Sequence, residues 1–351
     1  MFLYQINKNE ANQRFDKYLK KLLKNAPDSF IYKMLRKKNI VLNGKKCDGK
    51  EMLQVNDEVK LFLSDETFEK FSGQKVVANA GSAKTEAVVS GGVSKQELTG
   101  YRNAYDELGN ISIVYENEDV LVVNKPAGVL SQKAASTDVS VNEWLIGYML
   151  EKEQITAEEL STFKPSICNR LDRNTSGMVV CGKSLAGSQL MSQMIKEKTL
   201  EKYYSCIVGG SVELHTRVTG YLYKKEAQNQ VVIYASETEI PKSQRKDAVY
   251  IDTAFDTEQQ ANGLTRLEVQ LFTGKTHQIR AHLASLGHPI LGDTKYGFEK
   301  LNREYRKKGV TAQLLHAKRL VFPKIEDERF CELSEMVLIC EEPKIFKELM
   351  K

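Results

Sequence analysis

The stretch Cys-Asn-Arg-Leu-Asp-Arg-Asn-Thr-Ser-Gly-Met-Val-Val, residues 168–180, places one carboxylate between two guanidinium groups immediately before an apolar run. A positive charge within a few ångströms favours the ionised form of an acid, so Asp172 is expected to stay charged. The polar run 174–177 is typical of a tight turn at the mouth of a cleft, and the apolar run predicts a strand. Two interpretations stay open from these residues alone: a functional carboxylate, or a structural ion pair at the entrance of a strand.

The positive charge of the chain is concentrated at its N-terminal end. Residues 1–64 contain 14 Lys and Arg against 7 Asp and Glu, whereas the remaining residues contain 37 against 39. A basic module on a nearly neutral body is typical of a protein that docks on a polyanion, most simply a nucleic acid. A well-solvated, lysine-rich surface gives the same composition, so this alternative stays open. The length of 351 residues favours two domains.

Cysteine spacing and hydropathy favour a reducing compartment without a membrane. The six cysteines are scattered without a Cys-x-x-Cys pair, so the sequence predicts neither a zinc cluster nor a disulfide framework. No apolar run approaches the roughly 18 residues that span a bilayer, and the N-terminus has no charged-then-apolar leader. We therefore expect a cytoplasmic protein with no membrane association.

The N-terminal basic segment has helical periodicity. Five apolar residues of 14–24 recur at the spacing of one helical face, namely Phe15, Tyr18, Leu19, Leu22 and Leu23. A second helix is predicted from residue 28 or 29 onward, followed by a strand over 40–42 and an Asn-Gly turn at 43–44.

Three features of this segment belong together: the opening Arg-Phe-Asp-Lys-Tyr-Leu at 14–19, the basic second helix, and the exit Val-Leu-Asn-Gly-Lys at 41–45. In this combination, residues 12–72 resemble an S4 RNA-binding domain. The resemblance implies a small sheet with two short helices that grips RNA through phosphate contacts, which fix register without reading bases. The basic residues that would make these contacts are Arg14, Lys17, Lys33, Arg36, Lys37, Lys38 and Lys45.

Residues 73–105 are predicted to be a flexible linker, because small and polar residues dominate and no helical or strand period is present. Residues 106–351 are expected to form one further domain. Strand-like segments dominate there, and the helices predicted over 141–149 and 185–198 interrupt them rather than alternate with them. This order favours an α+β fold with a mixed, largely antiparallel sheet over a doubly wound fold.

Three other kinds of active site are disfavoured by spacing. Residues 274–276, Gly-Lys-Thr, have the ending of a phosphate-binding loop, but position 269 is valine where that loop requires glycine. His277 and His282 are five residues apart with no acid between them, which disfavours a metal site. No Gly-x-Ser-x-Gly elbow precedes a histidine base. Metal-free, nucleotide-free chemistry centred on a carboxylate remains.

Four motifs occur in order along the second part of the chain. The first two are Glu-Asn-Glu-Asp-Val-Leu-Val-Val-Asn-Lys-Pro-Ala-Gly at 116–128 and Arg-Leu-Asp-Arg-Asn-Thr-Ser-Gly at 170–177. The third is Thr-Gly-Lys-Thr-His-Gln-Ile-Arg-Ala-His-Leu at 273–283 together with Gly-His-Pro-Ile-Leu-Gly-Asp at 287–293, and the fourth is Leu-His-Ala-Lys-Arg-Leu at 315–320. With them, residues 110–325 resemble the RluA-type (RluC/RluD-like) pseudouridine synthases. That family isomerises uridine in RNA to its C-glycoside, which implies an enzyme that needs no metal and no other cofactor.

The same resemblance assigns the catalytic roles. Asp172 is the catalytic carboxylate, which either attacks the sugar or takes a proton from it; both roles stay open. Arg280 pairs with this carboxylate and keeps it ionised. Tyr204 stacks on the target base, and it is preferred over Tyr203 because the family pattern is Lys, any residue, Tyr, which here begins at Lys202.

Two further residues are assigned to RNA contact by the resemblance. Arg170 occupies the gap that a flipped uridine leaves in the RNA, because the glycosidic atoms are inaccessible inside a stack. Leu283 packs as an apolar wall of the pocket. A structural role stays open for each of these residues: Tyr204 and Leu283 as core residues, and Arg170 and Arg280 as members of structural ion pairs. The chain departs from the family pattern at Asn169, where histidine is frequent, and at residues 131–132, Ser-Gln, where His-Pro is common. These departures concern substrate preference rather than activity.

The expected function is the isomerisation of specific uridines, with large-subunit ribosomal RNA favoured as substrate and tRNA as the second candidate. A non-catalytic RNA-binding factor in ribosome assembly is the alternative from another class. The chain is expected to act as a monomer.

Overall fold

The N-terminal part of the protein is a small sheet covered by helices. The computed structural model describes residues 1–73, 75–76, 89–90 and 93–351. The strands of this part are β1 (Phe2–Gln5), β2 (Ile40–Leu42) and β3 (Glu58–Leu61), and its helices are α1 (Phe15–Leu22), α2 (Asp28–Arg36) and α3 (Asp65–Ser72). β3 pairs antiparallel with both other strands.

The apolar face predicted for the first helix forms the core of this part. Phe15, Tyr18 and Leu19 are fully buried and pack in one cluster with Phe2 of β1. The predicted unit begins at residue 12, but the pairing of β1 with β3 brings the first residues of the chain into the same compact unit. β1 is only four residues long and pairs with a distant segment, so periodicity did not reveal it.

A helix occupies the end of the predicted linker. Residues 95–105 are not flexible but form most of α4 (Lys95–Glu107), so the linker prediction is wrong for them. A capping box starts this helix, in which Glu97 N–H donates to Ser94 Oγ and Ser94 N–H donates to the Glu97 carboxylate, both at 3.2 Å. Of the remaining predicted linker, β4 (Lys75–Val76) pairs with β5 (Val89–Ser90). Residues 74, 77–88 and 91–92 lie outside the described residues.

Gly147 allows α4 to pack closely on α5 (Val141–Glu151). A Cβ at Gly147 would lie 2.1 Å from the Tyr101 carbonyl oxygen, so Gly147→Ala must displace a backbone. We expect the free energy of unfolding to fall by about 1–3 kcal/mol. Gly100 of α4 is the matched control, because nothing lies within 4 Å of a Cβ there, and Gly100→Ala should raise stability by about 1 kcal/mol. Urea unfolding of both variants measures this, and an equal response at the two positions contradicts the packing.

One large sheet forms the rest of the fold. Its strands are β6 (Ser112–Glu116), β7 (Val120–Lys125), β8 (Ser166–Ile167), β9 (Ser176–Gly182), β10 (Glu201–Gly209), β11 (His215–Lys225), β12 (Gln230–Tyr234), β13 (Val249–Ala261), β14 (Leu264–Leu271), β15 (Leu315–Val321) and β16 (Val337–Ile339). Along its main path the strand order is β12-β11-β13-β14-β10-β15-β9-β7-β6, with β16 on β15 and β8 on β9. Every strand pairing described in this sheet is antiparallel except that of β9 with β15, which confirms the mixed, largely antiparallel α+β fold.

Helices cover both faces of the sheet. On β9, Val179 packs in the cluster that contains residues of α5, whereas Val180 packs in the cluster that contains Met191 and Met194 of the helix Leu185–Glu197, as the two-residue period of a strand requires. Both faces of β9 are therefore buried, which makes the strand after Asp172 a rigid support. The remaining helices are α6 (Leu185–Glu197), α7 (Gln278–Ser285), α8 (Glu299–Arg306) and α9 (Lys344–Leu349), with 3₁₀ turns at Glu159–Ser161, Glu226–Gln228, Glu237–Glu239 and Glu328–Leu333.

The two parts of the chain touch at a buried carboxylate. Thr162 Oγ1 donates to Glu10 Oε1 at 2.5 Å, and Glu10 is 6% exposed. Among the helices described, none has both the length and the apolar character that crossing a bilayer requires.

Candidate active site

Asp172 lies in the loop that joins β8 to β9, and this loop is braced on both sides of the carboxylate. Ser131 Oγ donates to the Leu171 carbonyl at 2.9 Å and accepts from the Leu171 N–H at 3.0 Å. On the other side, the Thr175 N–H donates to the Asp172 carbonyl at 3.0 Å and closes a turn. The backbone of Asp172 is therefore held by its own loop and by the Ser131 hydroxyl.

Arg280 of α7 joins two carboxylates. Its Nη1 donates to Asp172 Oδ2 at 2.8 Å, while its Nε and Nη2 donate to the two oxygens of Asp293 at 2.7 and 3.0 Å. Asp293 is fully buried. Burial lowers the pKa of Arg280, but the hydrogen bonds to Asp293 and the charges of both carboxylates outweigh burial and hold the pKa above its ordinary value. A permanently charged guanidinium thus faces Asp172.

The two arginines beside Asp172 in the sequence do not pair with it. Arg173 Nε donates to the Gly128 carbonyl at 3.0 Å, and Arg170 is exposed at the cleft with no ion pair to any residue described. The counter-ion of Asp172 instead comes from Arg280, 108 positions further along the chain. Arg170 is therefore available for a contact outside the protein.

Tyr204 and Tyr203 occupy opposite faces of β10. Tyr204 lines the same cleft as Asp172, whereas the Tyr203 hydroxyl donates to Glu201 and its ring lies 3.6 Å from the guanidinium carbon of Arg319. Burial and the nearby charge of Asp172 raise the pKa of Tyr204, so its hydroxyl stays protonated at neutral pH. The structure thus brings Tyr204, rather than Tyr203, to Asp172.

The cleft around Asp172 has a volume of about 1300 Å³ and a strongly cationic lining. Among the described residues that line it, Asp172 is the one carboxylate. The basic residues that line it are Lys133, Arg170, Arg173, Lys196, Lys198, Lys202, Lys275, Arg280 and Lys295. Such a lining raises the local concentration of a polyanion and leaves one acid group for chemistry.

Leu283 does not lie where the sequence predicted. It is fully buried in the core cluster of the sheet and is not among the residues that line the cleft, so the prediction that it forms a pocket wall is wrong for this structure. On α7, Arg280 and Leu283 are three positions apart. The turn of the helix that aims Arg280 at the cleft carries Leu283 into the core.

Three residues to which the sequence analysis assigned no role in the active site lie close to Asp172. Asp293 holds Arg280, His277 Nε2 lies 3.9 Å from Asp172 Oδ2, and the Tyr296 hydroxyl is 3.0 Å from His277 Nδ1. The stretch 287–293, which contains Asp293, was visible in the sequence as Gly-His-Pro-Ile-Leu-Gly-Asp. The contact between Asp293 and Arg280, however, depends on how α7 packs against this loop, which the sequence does not show.

His282, the other histidine of the predicted pair, has a structural role. His282 Nδ1 is 3.1 Å from Thr253 Oγ1, and burial lowers the pKa of His282 to about 4. No group of three or more histidine, cysteine or acidic side chains comes together as a metal site in the part of the chain that the structure describes.

The basic residues of the N-terminal part divide into two sets. Arg14 donates to both oxygens of Asp16, at 3.1 and 2.8 Å, which fixes it against the start of α1. The other predicted contacts are exposed and have no ion pair with any residue that the structure describes; they are Lys17, Lys33, Arg36, Lys37, Lys38 and Lys45.

Comparison with known proteins agrees with this geometry. Residues 119–285, which include Asp172, Tyr204 and Arg280, match the family described as RNA pseudouridylate synthase. The ribosomal large subunit pseudouridine synthase C of Pasteurella multocida is 28% identical over 319 residues, which are 89% of this chain and 83% of that protein. The protein of the same name from Escherichia coli K12 is 27% identical over 321 residues, 90% of this chain and 87% of that protein.

A solved structure shares the fold. The chain described as human RNA pseudouridylate synthase domain containing 4 superposes with a TM-score of 0.55 at 20% identity, over 72% of this chain and 95% of that one. The family match, the curated relatives and the fold all agree with the four motifs. Over the residues that hold Asp172, Tyr204 and Arg280, the chain is therefore similar to the pseudouridine synthases, enzymes that isomerise uridine in RNA.

Proposed function

We propose that the protein is a pseudouridine synthase that modifies specific uridines of large-subunit ribosomal RNA, with Asp172 as the catalytic carboxylate. The observation that carries the assignment of Asp172 is its isolation as the one carboxylate among the described residues of a cationic cleft. The relatives from Pasteurella multocida and Escherichia coli, which carry ribosomal large subunit in their names, support the substrate. Action in the cytoplasm and as a monomer is part of the same proposal.

The reaction explains why a charged, shielded carboxylate is needed. The bond between N1 of uracil and C1′ of ribose breaks, the base turns, and C5 bonds to C1′ while N1 gains a proton and C5 loses one. A carboxylate contributes either by bonding to C1′ as the base leaves, or by taking the C2′ proton. Either role requires a carboxylate held in place, and the guanidinium of Arg280 donates to Asp172 Oδ2 at 2.8 Å.

The neighbours of Asp172 support distinct roles in handling the base. Tyr204 presents a protonated, largely buried phenol beside Asp172, suited to stack on the uracil ring while it turns. Arg170 is exposed at the cleft with no protein counter-ion described, suited to fill the space that the flipped uridine vacates. Arg280 stays bound to Asp293 and orients Asp172.

Tritium release tests activity and substrate class together. The C5 hydrogen is lost to water on isomerisation, so RNA labelled with tritium at C5 of uracil reports turnover directly. We expect release from ribosomal RNA isolated from cells that lack this gene, and no release from tRNA of the same cells. Release from tRNA alone would show that tRNA, the second candidate, is the substrate. RNA binding without release from either RNA would favour the non-catalytic assembly factor.

The N-terminal part is proposed to be an S4-type RNA-binding module, with residues 12–72 as its body and 106–351 as the catalytic domain. The exposed cations of α2 and its C-terminal end support this proposal, because they have no described ion pair to neutralise them. Phosphate contacts by such side chains release counter-ions and make RNA affinity depend on salt.

Removal of four of these charges should weaken RNA binding in a salt-dependent way. We expect the combined variant Lys33→Gln, Arg36→Gln, Lys37→Gln and Lys38→Gln to reduce the slope of log affinity against log salt by about 0.7 for each phosphate that is no longer neutralised. Filter binding at several salt concentrations measures the slope. The control removes four cations of the α8 region that do not line the cleft, namely Lys300, Arg303, Lys307 and Lys308. An equal change of slope in both variants would show that net charge alone matters.

A further inference from the structure

His277 has an unusual backbone conformation for the residue that begins a helix. It precedes α7 with φ 55° and ψ 15°, in the left-handed region, and its side chain makes no capping hydrogen bond to the helix. Left-handed residues other than glycine cost free energy and persist where the surrounding structure holds them, often at functional sites. The side chain, 8% exposed, is turned instead toward Asp172.

A chain of hydrogen bonds determines which nitrogen of His277 carries the proton. The Val231 N–H donates to the Tyr296 hydroxyl oxygen at 2.9 Å, and this oxygen lies 3.0 Å from His277 Nδ1. Burial raises the pKa of Tyr296 and lowers that of His277, so the phenol keeps its proton and the imidazole is neutral. A neutral imidazole has one donor and one acceptor nitrogen. The Tyr296 hydroxyl therefore donates to Nδ1, and the ring proton resides on Nε2.

The opposite tautomer would be disfavoured at both ends of the ring. With the proton on Nδ1, the Tyr296 hydroxyl hydrogen would lose its acceptor in a half-buried position. The Nε2 lone pair would also face the carboxylate oxygen Asp172 Oδ2, 3.9 Å away. Both ends of the ring thus favour an Nε2–H group directed at Asp172.

We propose that His277 is a positioning residue for Asp172. When RNA fills the cleft, the Nε2–H of His277 donates a hydrogen bond to Asp172 Oδ2. A separation of 3.9 Å is too long for a hydrogen bond, but such distances commonly shorten in the substrate complex. Oδ2 then has two donors, His277 and Arg280, while Oδ1, which has no described hydrogen bond, is left to react with the sugar. Two donors on one oxygen prevent rotation of the carboxylate, which a single donor permits.

The proposal rests on the proposed role of Asp172, and two substitutions at His277 separate positioning from a purely structural role. Asparagine adopts the left-handed conformation readily, but its amide reaches only the position of Nδ1. Glutamine accepts that conformation less well, but its amide nitrogen reaches the position of Nε2. If His277 has only a structural role, turnover should be higher in His277→Asn than in His277→Gln. If His277 positions Asp172, turnover should be higher in His277→Gln.

The test compares kcat and KM for tritium release with the urea midpoints of the same variants. We expect His277→Asn to keep its stability and to lose kcat on the order of 10- to 100-fold, the effect of one hydrogen bond to a charged group, with KM little changed. His277→Gln should recover most of kcat despite a lower midpoint. Tyr296→Phe should lower kcat in the wild-type background but not in His277→Asn, because both changes remove the same interaction.

Nitrogen NMR of the His277 ring measures the tautomer in the wild-type protein itself. The chain has five histidines, so the His277 signal is assigned by its absence from one variant. We expect the Nε2–H tautomer in the wild-type protein. The Nδ1–H tautomer, equal turnover of His277→Asn and His277→Gln, or turnover that follows the urea midpoints would overturn the proposal. Absence of turnover in the wild type, or retained turnover in Asp172→Asn, would instead contradict the proposed function itself.

Discussion

Asp172→Asn is expected to abolish pseudouridine formation while leaving RNA affinity nearly intact. The amide has the size of the carboxylate but neither attacks C1′ nor takes a sugar proton, so turnover should fall roughly 10⁴-fold or more, as when a catalytic group is removed from other enzymes. The fold should persist because Arg280 keeps its two hydrogen bonds to Asp293. Single-turnover tritium release measures the decrease.

RNA affinity provides the internal control for this variant. Removal of the one described carboxylate of the cleft eliminates a repulsive charge, so binding should be equal to that of the wild type or slightly tighter. Asp172→Asn with turnover within about tenfold of the wild type would contradict the assignment, because such a ratio is far below the effect of a catalytic group.

Asp293→Asn is expected to have the second largest effect, on both stability and rate. An amide nitrogen would face a donor of Arg280, which breaks one of two buried charge-assisted hydrogen bonds. Breaking a buried ion pair costs about 3–5 kcal/mol of unfolding free energy. Displacement of Arg280 should also misplace Asp172, and a shift of about 1 Å costs on the order of 10²-fold in kcat. Urea unfolding and tritium release at saturating RNA measure the two effects.

The pH dependence of stability distinguishes the absence of this ion pair from general damage. Burial raises the pKa of Asp293, but hydrogen bonds and charge from Arg280 outweigh burial and hold it below its ordinary value. Ionised Asp293 thus stabilises the fold above the unfolded pKa of about 3.9, and this contribution is lost as the pH falls through the lowered value. Asp293→Asn should lack this acid-dependent component. A variant that keeps it would show that another group is responsible.

The pair of Arg217 and Asp252 is a matched control for Asp293→Asn. Arg217 donates to both oxygens of Asp252 at 2.8 and 2.6 Å, and neither residue contacts Asp172. We expect Asp252→Asn to lower stability without changing kcat at saturating RNA. A comparable decrease of kcat in both variants would show that the rate effect of Asp293→Asn arises from instability rather than from Arg280.

Local pattern predicted the elements of the fold well. The apolar spacing of 14–24 predicted α1, the apolar run after Asp172 predicted β9, and Ile40–Leu42 is a strand as expected. Local sequence pattern did not predict elements that bury few residues or that pair with a strand far away in the sequence. α4 buries only Tyr101 and Ala104, so its mean composition is that of a linker, although the capping box from Ser94 to Glu97 was visible in the sequence.

The residues of the candidate site and one of its contacts were predictable from the sequence. The motifs singled out Asp172, Arg280 and Tyr204, and the resemblance predicted the pair of Arg280 with Asp172, which the structure contains at 2.8 Å. The arginines that flank Asp172 in the sequence suggested a local ion pair, but Arg173 donates to the Gly128 carbonyl instead. The contacts of Asp293 and His277 depend on how α7 packs against two loops. Spacing along the chain contains no information about that packing.

Pseudouridine mapping in ribosomal RNA tests the central claim most directly. Cells that lack this gene are supplied with the wild-type protein or with Asp172→Asn at equal abundance, and pseudouridines are mapped in the large-subunit RNA. We predict that defined sites disappear with the gene, return with the wild type and stay absent with Asp172→Asn. Sites that persist without the gene, or that Asp172→Asn restores, would contradict the account.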